Sequence, residues 1–265
     1  MRLAWLTDLH LDFLQNWQRA GFVADLWDAN PDAVLVTGDI AVASSLERTL
    51  REMASAFHRP IYFVLGNHDF YQGSIPAVRE RMRELCRTAA GLVYLSQTDA
   101  VRLTDATTLV GHDGWGDGRY GQYGRSSVCL NDLLLIEELT ALDRPTLLQR
   151  LQRLGDEAAA HLRRVLPRAL ATSRRTLLLT HVPPFRESCW YQGRTSDDEW
   201  APFFACKAVG DLLLEIMRAH SEHHLTVLCG HTHSPGRAQI LPNLLAWTGG
   251  AEYGAPVLQS IIDVP

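Results

Sequence analysis

Five short apolar runs, at residues 3–6, 33–36, 61–65, 176–179 and 225–229, each stop at a polar cluster. Runs of this length with abrupt polar ends are predicted to be buried strands. The clusters are Thr7-Asp8-Leu9-His10, Gly38-Asp39, Gly66-Asn67-His68-Asp69, Thr180-His181 and Gly230-His231-Thr232-His233. Side chains just beyond the carboxyl ends of sheet strands share one edge, where α/β folds hold their ligands. Carboxylate, imidazole and amide groups from five distant segments are therefore expected to converge.

The stretches between the runs are read as follows. Ser44 or Ser45 can cap a helix over Leu46–Phe57, and Ser74 can cap one entered through Pro76 and ending near Thr88. Helices alternating with strands imply an α/β sheet covered on both faces. Runs at 93–95, 101–103 and 108–110, and at 239–241, 244–247 and 257–262, lie too close together for crossover helices. They suit hairpins, so a mixed or two-sheet core is expected over a purely parallel one. Leu147, Leu148, Leu151, Leu154, Ala158, Leu162 and Val165 recur at spacings of three and four behind Pro145, the stripe of a core-facing helix. Irregular segments at about 111–127 and 182–206 are expected to lie over the site.

Composition narrows the partners. With 265 residues, 46% of them hydrophobic, the chain can bury one large core, and a single domain over 1–265 is expected. A net charge of −5 with scattered Lys and Arg advertises no grip on nucleic acid. No apolar stretch approaches the roughly 18 residues of a membrane span, and the first is too short for a signal sequence. The five cysteines are odd in number and lack CxxC spacing, which argues against a zinc ribbon or a disulfide framework, so a cytoplasmic protein is expected.

In this order the blocks Asp8-x-His10, Gly38-Asp39, Gly66-Asn67-His68-Asp69, His181 and Gly230-His231-x-His233 resemble the calcineurin-like metallophosphoesterase family. The resemblance implies a four-layer α/β/β/α sandwich of two mixed β-sheets flanked by helices. It implies one divalent metal ion on Asp8, His10, Asp39 and His233, and a second on Asp39, Asn67, His181 and His231, with Asp39 bridging. His68 matches the family's catalytic histidine and Asp69 the carboxylate that orients it. Mixed oxygen and nitrogen donors suit manganese or iron first, with zinc as a further candidate. Two such ions can acidify a shared water for attack on phosphorus. After Gly38-Asp39 comes Ile-Ala-Val, without a carboxylate that many members carry shortly downstream.

The expected activity is hydrolysis of a small phosphoester, monoester or diester, a nucleotide among the candidates. A nuclease and a non-enzymatic metal-binding scaffold are the alternatives, and intact ligands weigh against the scaffold. Oligomeric state is left open. In the glycine-rich loop, Trp115 or Tyr120 can stack on a flat leaving group and Arg119 or Arg125 can clamp a phosphate. His112 and Asp113 are left out of the metal set, because the seven matched ligands fill it.

Overall fold

The computed structural model describes residues 1–265. In chain order its strands are β1 (Arg2–Leu6), β2 (Ala33–Thr37), β3 (Ile61–Val64), β4 (Leu92–Tyr94), β5 (Val101–Arg102), β6 (Thr107–Gly111), β7 (Arg175–Leu179), β8 (Trp190–Tyr191), β9 (Arg194–Thr195), β10 (His224–Cys229), β11 (Gly236–Leu241), β12 (Leu244–Thr248) and β13 (Ser260–Asp263). Its α-helices are α1 (Asn16–Asp28), α2 (Leu46–Phe57), α3 (Ile75–Thr88), α4 (Asp132–Leu135), α5 (Arg144–Thr172), α6 (Ala201–Phe204) and α7 (Lys207–Ala219). None is long and apolar enough to cross a membrane.

Strands β1 to β4 run parallel in sequence order, and β13 adds antiparallel beside β1. The second sheet has the order β11-β12-β10-β7-β6-β5, parallel at its centre and antiparallel at both edges. The residues of β2 are all buried, as a parallel strand covered on both faces requires. Leu3, Trp5, Leu35 and Val64 of one sheet pack on Leu109, Leu177, Leu179 and Leu228 of the other. Trp5 and Trp247 meet edge-on there with ring centroids 5.0 Å apart, and the Trp5 indole donates to Thr37 Oγ1 at 3.1 Å. Helices α1 to α3 bury Leu26, Leu50 and Met82 in the cluster that holds Val34 and Phe63. On the other side α5 and α7 bury Leu162, Leu166 and Leu213 with Val110, Leu178 and Val227. The layers are α/β/β/α, as expected.

Two of the longer helices escape the sequence reading, as does the short α6 inside 182–206. In α1 only Phe22 and Leu26 are buried, too few to show a period, and reciprocal Gln15–Gln18 capping starts it. Helix α7 has a regular stripe through Val209, Leu212, Leu213 and Ile216 but no local cap; the Asp117 carboxylate, distant in sequence, accepts from Ala208 N at 2.8 Å. A similar distant cap replaces the one expected from Ser74. Glu138 accepts from Ile75 N at 2.8 Å and from the Ser74 hydroxyl, so Ser74 itself caps nothing. The last strand covers Ser260–Asp263 rather than 257–262.

Leu228 lies fully buried between the sheets. Leu228→Ala is expected to destabilise the metal-free protein by about 2–5 kcal/mol in urea unfolding. A change below about 1 kcal/mol, the range of a surface substitution, would show that this contact does not hold the sheets together.

Candidate metal centre

Strands β1, β2 and β3 run parallel to one another, as do β7 and β10, and their carboxyl ends open on one edge. There the backbone leaves ordinary geometry. Asp8, His10, Asp39, His231 and His233 have φ of 47°, 43°, 51°, 71° and 55°, in the left-handed region that L-residues avoid. Such strain persists only where the surroundings over-determine it. Here they do: Asp8 N donates to Gly38 O at 3.1 Å, His10 N to Asp39 O at 2.9 Å, and Gly230 N to His181 O at 2.9 Å. Gly38 has φ 90°, and a Cβ on it would fall 2.5 Å from Gly66 N. At Gly230 the constraint is space, since a Cβ would stand 2.0 Å from Asp8 Oδ2.

The seven expected ligands fall into two groups that share Asp39. In the first, ligand atoms of Asp8, His10, Asp39 and His233 lie within 4.8 Å of one another. His10 Nε2 faces His233 Nε2 at 3.2 Å and Asp39 Oδ2 at 3.8 Å, and His233 Nε2 lies 3.5 Å from Asp8 Oδ1. In the second, His181 Nε2 is 3.0 Å from Asn67 Oδ1, 3.2 Å from His231 Nδ1 and 3.4 Å from Asp39 Oδ1.

Hydrogen bonding fixes which atoms carry lone pairs. The Thr37 carbonyl accepts from His181 Nδ1 at 2.8 Å and the Phe203 carbonyl from His231 Nε2 at 3.1 Å, leaving His181 Nε2 and His231 Nδ1 unprotonated. The Asn67 amide nitrogen donates to Asp132 at 2.8 Å and to Tyr71 OH at 3.2 Å, which turns its oxygen inward. Three acceptors thus converge with no donor between them. Burial, followed by the charge of neighbouring imidazoles, keeps His10 and His231 near 3, so protonation does not relieve the crowding. Burial and then the charges of Asp8 and Asp69 push Asp39 well above the carboxylate range. Burial alone would raise Asp8 too, yet its hydrogen bond with His233 and the surrounding imidazoles hold it low. Divalent cations remove both conflicts, and the donor set fits them.

Around this core, Asp69 accepts from Ile40 N at 2.8 Å, Ala41 N at 2.9 Å and Gly66 N at 2.8 Å. It therefore joins the β2 and β3 loops and does not touch His68, a correction to the pairing expected from the blocks. His68 stacks on Tyr71 at 4.2 Å, meets His10 edge-on at 4.5 Å, and places Nε2 3.4 Å from Tyr253 OH. Burial and then the charge of His181 lower it to about 4. Asp113 accepts from Leu65 N and Tyr94 OH and pairs with Arg79 at 3.0 Å, while its carbonyl accepts from His181 N at 2.9 Å. It ties the loops of Asn67 and His181 without facing the centre.

The cleft over these groups holds about 300 Å³ and is walled by Tyr71, Leu130, Asn131, Asp132, Tyr191, Phe204 and Tyr253. Trp115, Arg119 and Tyr120 are not among its walls. Trp115 is buried against Phe70, Arg119 pairs with Asp117 and Asp156 at 2.9 and 2.8 Å, and Tyr120 packs beside Lys207. The glycines of 111–127 serve close packing instead: a Cβ on Gly116 would stand 2.0 Å from Phe203 O. No residue of that loop lines the cleft, and of the two segments only 182–206 reaches it, through Tyr191 and Phe204 braced by Trp200. Sequence reading missed Asp132, Tyr253 and Tyr71. Only Tyr71 lies near a recognised block, four residues past Asn67 at the end of the 3₁₀ turn His68–Phe70.

A profile of the calcineurin-like phosphoesterase family matches residues 1–235, and the chain belongs to that family. It is a metal-dependent phosphoesterase. No curated protein matches the sequence. Among solved structures, phosphopantetheinyl hydrolase (PptH) from Mycobacterium tuberculosis is similar at 17% identity and TM-score 0.68, over 94% of this chain and 89% of its own. A dimetal phosphatase from Danio rerio follows at 15% identity and TM-score 0.58, over 94% and 87%. The protein TT1561 of Thermus thermophilus matches at 12% identity and TM-score 0.55, over 94% and 88%. At these identities the likeness is one of fold.

Two outcomes follow from the geometry. Mn²⁺ in hundredfold excess over its dissociation constant should stabilise the fold by about 2.7 kcal/mol per site, seen as a rise in melting temperature that chelator reverses; an unchanged Tm contradicts the donor-set reading. Asp132→Ala should weaken binding of one of two metal equivalents by about 10–100-fold in calorimetry, because Asn67 loses the partner that aims it. Unaltered affinities would remove Asn67 from the ligand set.

Proposed function

We propose that the chain hydrolyses a small phosphoester bearing one phosphoryl group, with Asp8, His10, Asp39 and His233 holding one divalent cation and Asp39, Asn67, His181 and His231 the other. The observation that carries this is the pair of acceptor clusters joined by the two oxygens of Asp39. Manganese or iron suits the mixed donors best, with zinc as the further candidate. When bound, such ions supply Lewis acidity to phosphoryl oxygens and a low-pKa water.

The protein's own groups do the rest. Asp39, with its backbone held by the His10 loop and its Oδ1 accepting from His68 N at 2.8 Å, keeps the two clusters at a fixed separation. Asp69 holds the β2 and β3 loops in register, so Asn67 and His68 keep their positions. His68 is the group at the cleft that can carry a proton to the leaving oxygen. A phosphoryl dianion beside it opposes the depression of its pKa, because negative charge favours the imidazolium. Neither Lys nor Arg lines the cleft, which supports a substrate with a single phosphoryl group and gives a polyanionic nucleic-acid backbone nothing to grip.

The test is turnover of p-nitrophenyl phosphate and bis-p-nitrophenyl phosphate by stripped protein with Mn²⁺ restored. Asp39→Ala should abolish it, and His68→Ala should lower kcat by about 10²–10⁴-fold while metal content stays at the wild-type level. The preferred ester separates monoesterase from diesterase. Metal-independent turnover, or full activity in Asp39→Ala, would contradict the reading.

A further inference from the structure

The metal-side cleft does not end at His68. A second lobe of about 390 Å³ opens behind it, sharing His68, Tyr71, Asn131 and Tyr253 with the first. Its remaining walls include Phe13, Val42 and Leu135, and no Asp, Glu, Lys or Arg reaches it. The chain builds this lobe from continuations of the same loops that carry the expected ligands. Phe13 follows His10 by three residues, Val42 follows Asp39 by three, and Tyr253 returns beyond the His231-x-His233 block. Phe13 and Tyr253 are 55% and 50% exposed, although they are large and apolar. Their rings touch each other at 5.1 Å, and Tyr253 also covers His10 at 4.4 Å and His233 at 5.1 Å. Side chains on such a rim retain apolar surface that a ligand can cover.

Position assigns the occupant. The metal-side lobe carries the carboxylates, amide and imidazoles suited to a phosphoryl group, and His68, the proton carrier, stands on the boundary. Whatever is attached to the leaving oxygen beyond His68 must enter the second lobe. We infer that this lobe bounded by Phe13, Val42, Leu135 and Tyr253 is the leaving-group subsite, and that the substrate is an ester of an uncharged alcohol with an apolar or aromatic body. The inference rests on the phosphoesterase site proposed above.

The test compares phenyl phosphate with 2-naphthyl phosphate, whose leaving groups are similarly basic, so the contrast reports apolar contact. The wild-type holoenzyme should favour the naphthyl ester by about tenfold in kcat/KM, the discrimination that a few extra buried carbons provide. The Phe13→Ala, Leu135→Ala double variant should bring the ratio close to one while metal content is retained, and Phe13→Trp should keep the preference. A wild-type ratio near one, or a preference untouched in the double variant, overturns the subsite. If no ester is turned over, the proposed chemistry fails separately. The subsite is then read by calorimetry on Mn²⁺-loaded protein: naphthylphosphonate must bind more tightly than methylphosphonate and lose that advantage in the double variant. Equal affinities overturn it.

Discussion

Lone pairs aimed at one another in a buried space are what the rest of this molecule is arranged around. His181 Nε2, His231 Nδ1 and Asn67 Oδ1 converge within 3.2 Å, each turned inward by a hydrogen bond on its far side. Without a cation that arrangement is repulsive, and the burial of Asp8, Asp39 and Asp69 together makes the charge balance worse. The fold tolerates it because the two sheets, packed through Trp5, Trp247 and Leu228, present their loops at a set separation. Distant carbonyls and carboxylates then hold each imidazole and amide in one orientation.

The same logic explains where the backbone is strained. Five of the seven expected ligands sit at positive φ, a conformation that these residues adopt only when tertiary hydrogen bonds leave no alternative. Gly38 supplies an unusual turn and Gly230 supplies room for Asp8. Asp69, which the blocks suggested as a partner of His68, spends its hydrogen-bonding capacity on three backbone amides. It positions loops, and His68 is placed by ring contacts with Tyr71 and His10 instead.

The convergence of ligands was legible in the sequence because each lies within a few residues of a strand end, where period and polarity change together. Sandwich layering was legible for a related reason: the inner strands are short and mostly apolar, and α2, α3 and α5 between them are amphipathic. What sequence could not show is which distant side chain completes a local motif. Glu138 caps the helix that Ser74 was expected to start, Asp117 caps α7, and Asp132 aims Asn67 across 65 residues of chain. Trp115, Arg119 and Tyr120 misled for the complementary reason. Glycines flanking aromatic and basic groups look like a binding loop, yet here they let the chain lie flush on Phe203. Walls of the cleft come instead from single residues, Asp132 and Tyr253, that no local pattern marks, together with Tyr191 from the aromatic segment 182–206.

Metal stoichiometry is the most direct test of this account. Stripped protein equilibrated with Mn²⁺ and separated from free ion should carry two equivalents per chain by elemental analysis, and His231→Ala, which removes one donor from the Asn67 side, should carry one. One equivalent in the wild type, or two in the variant at the same affinities, would contradict a paired centre bridged by Asp39.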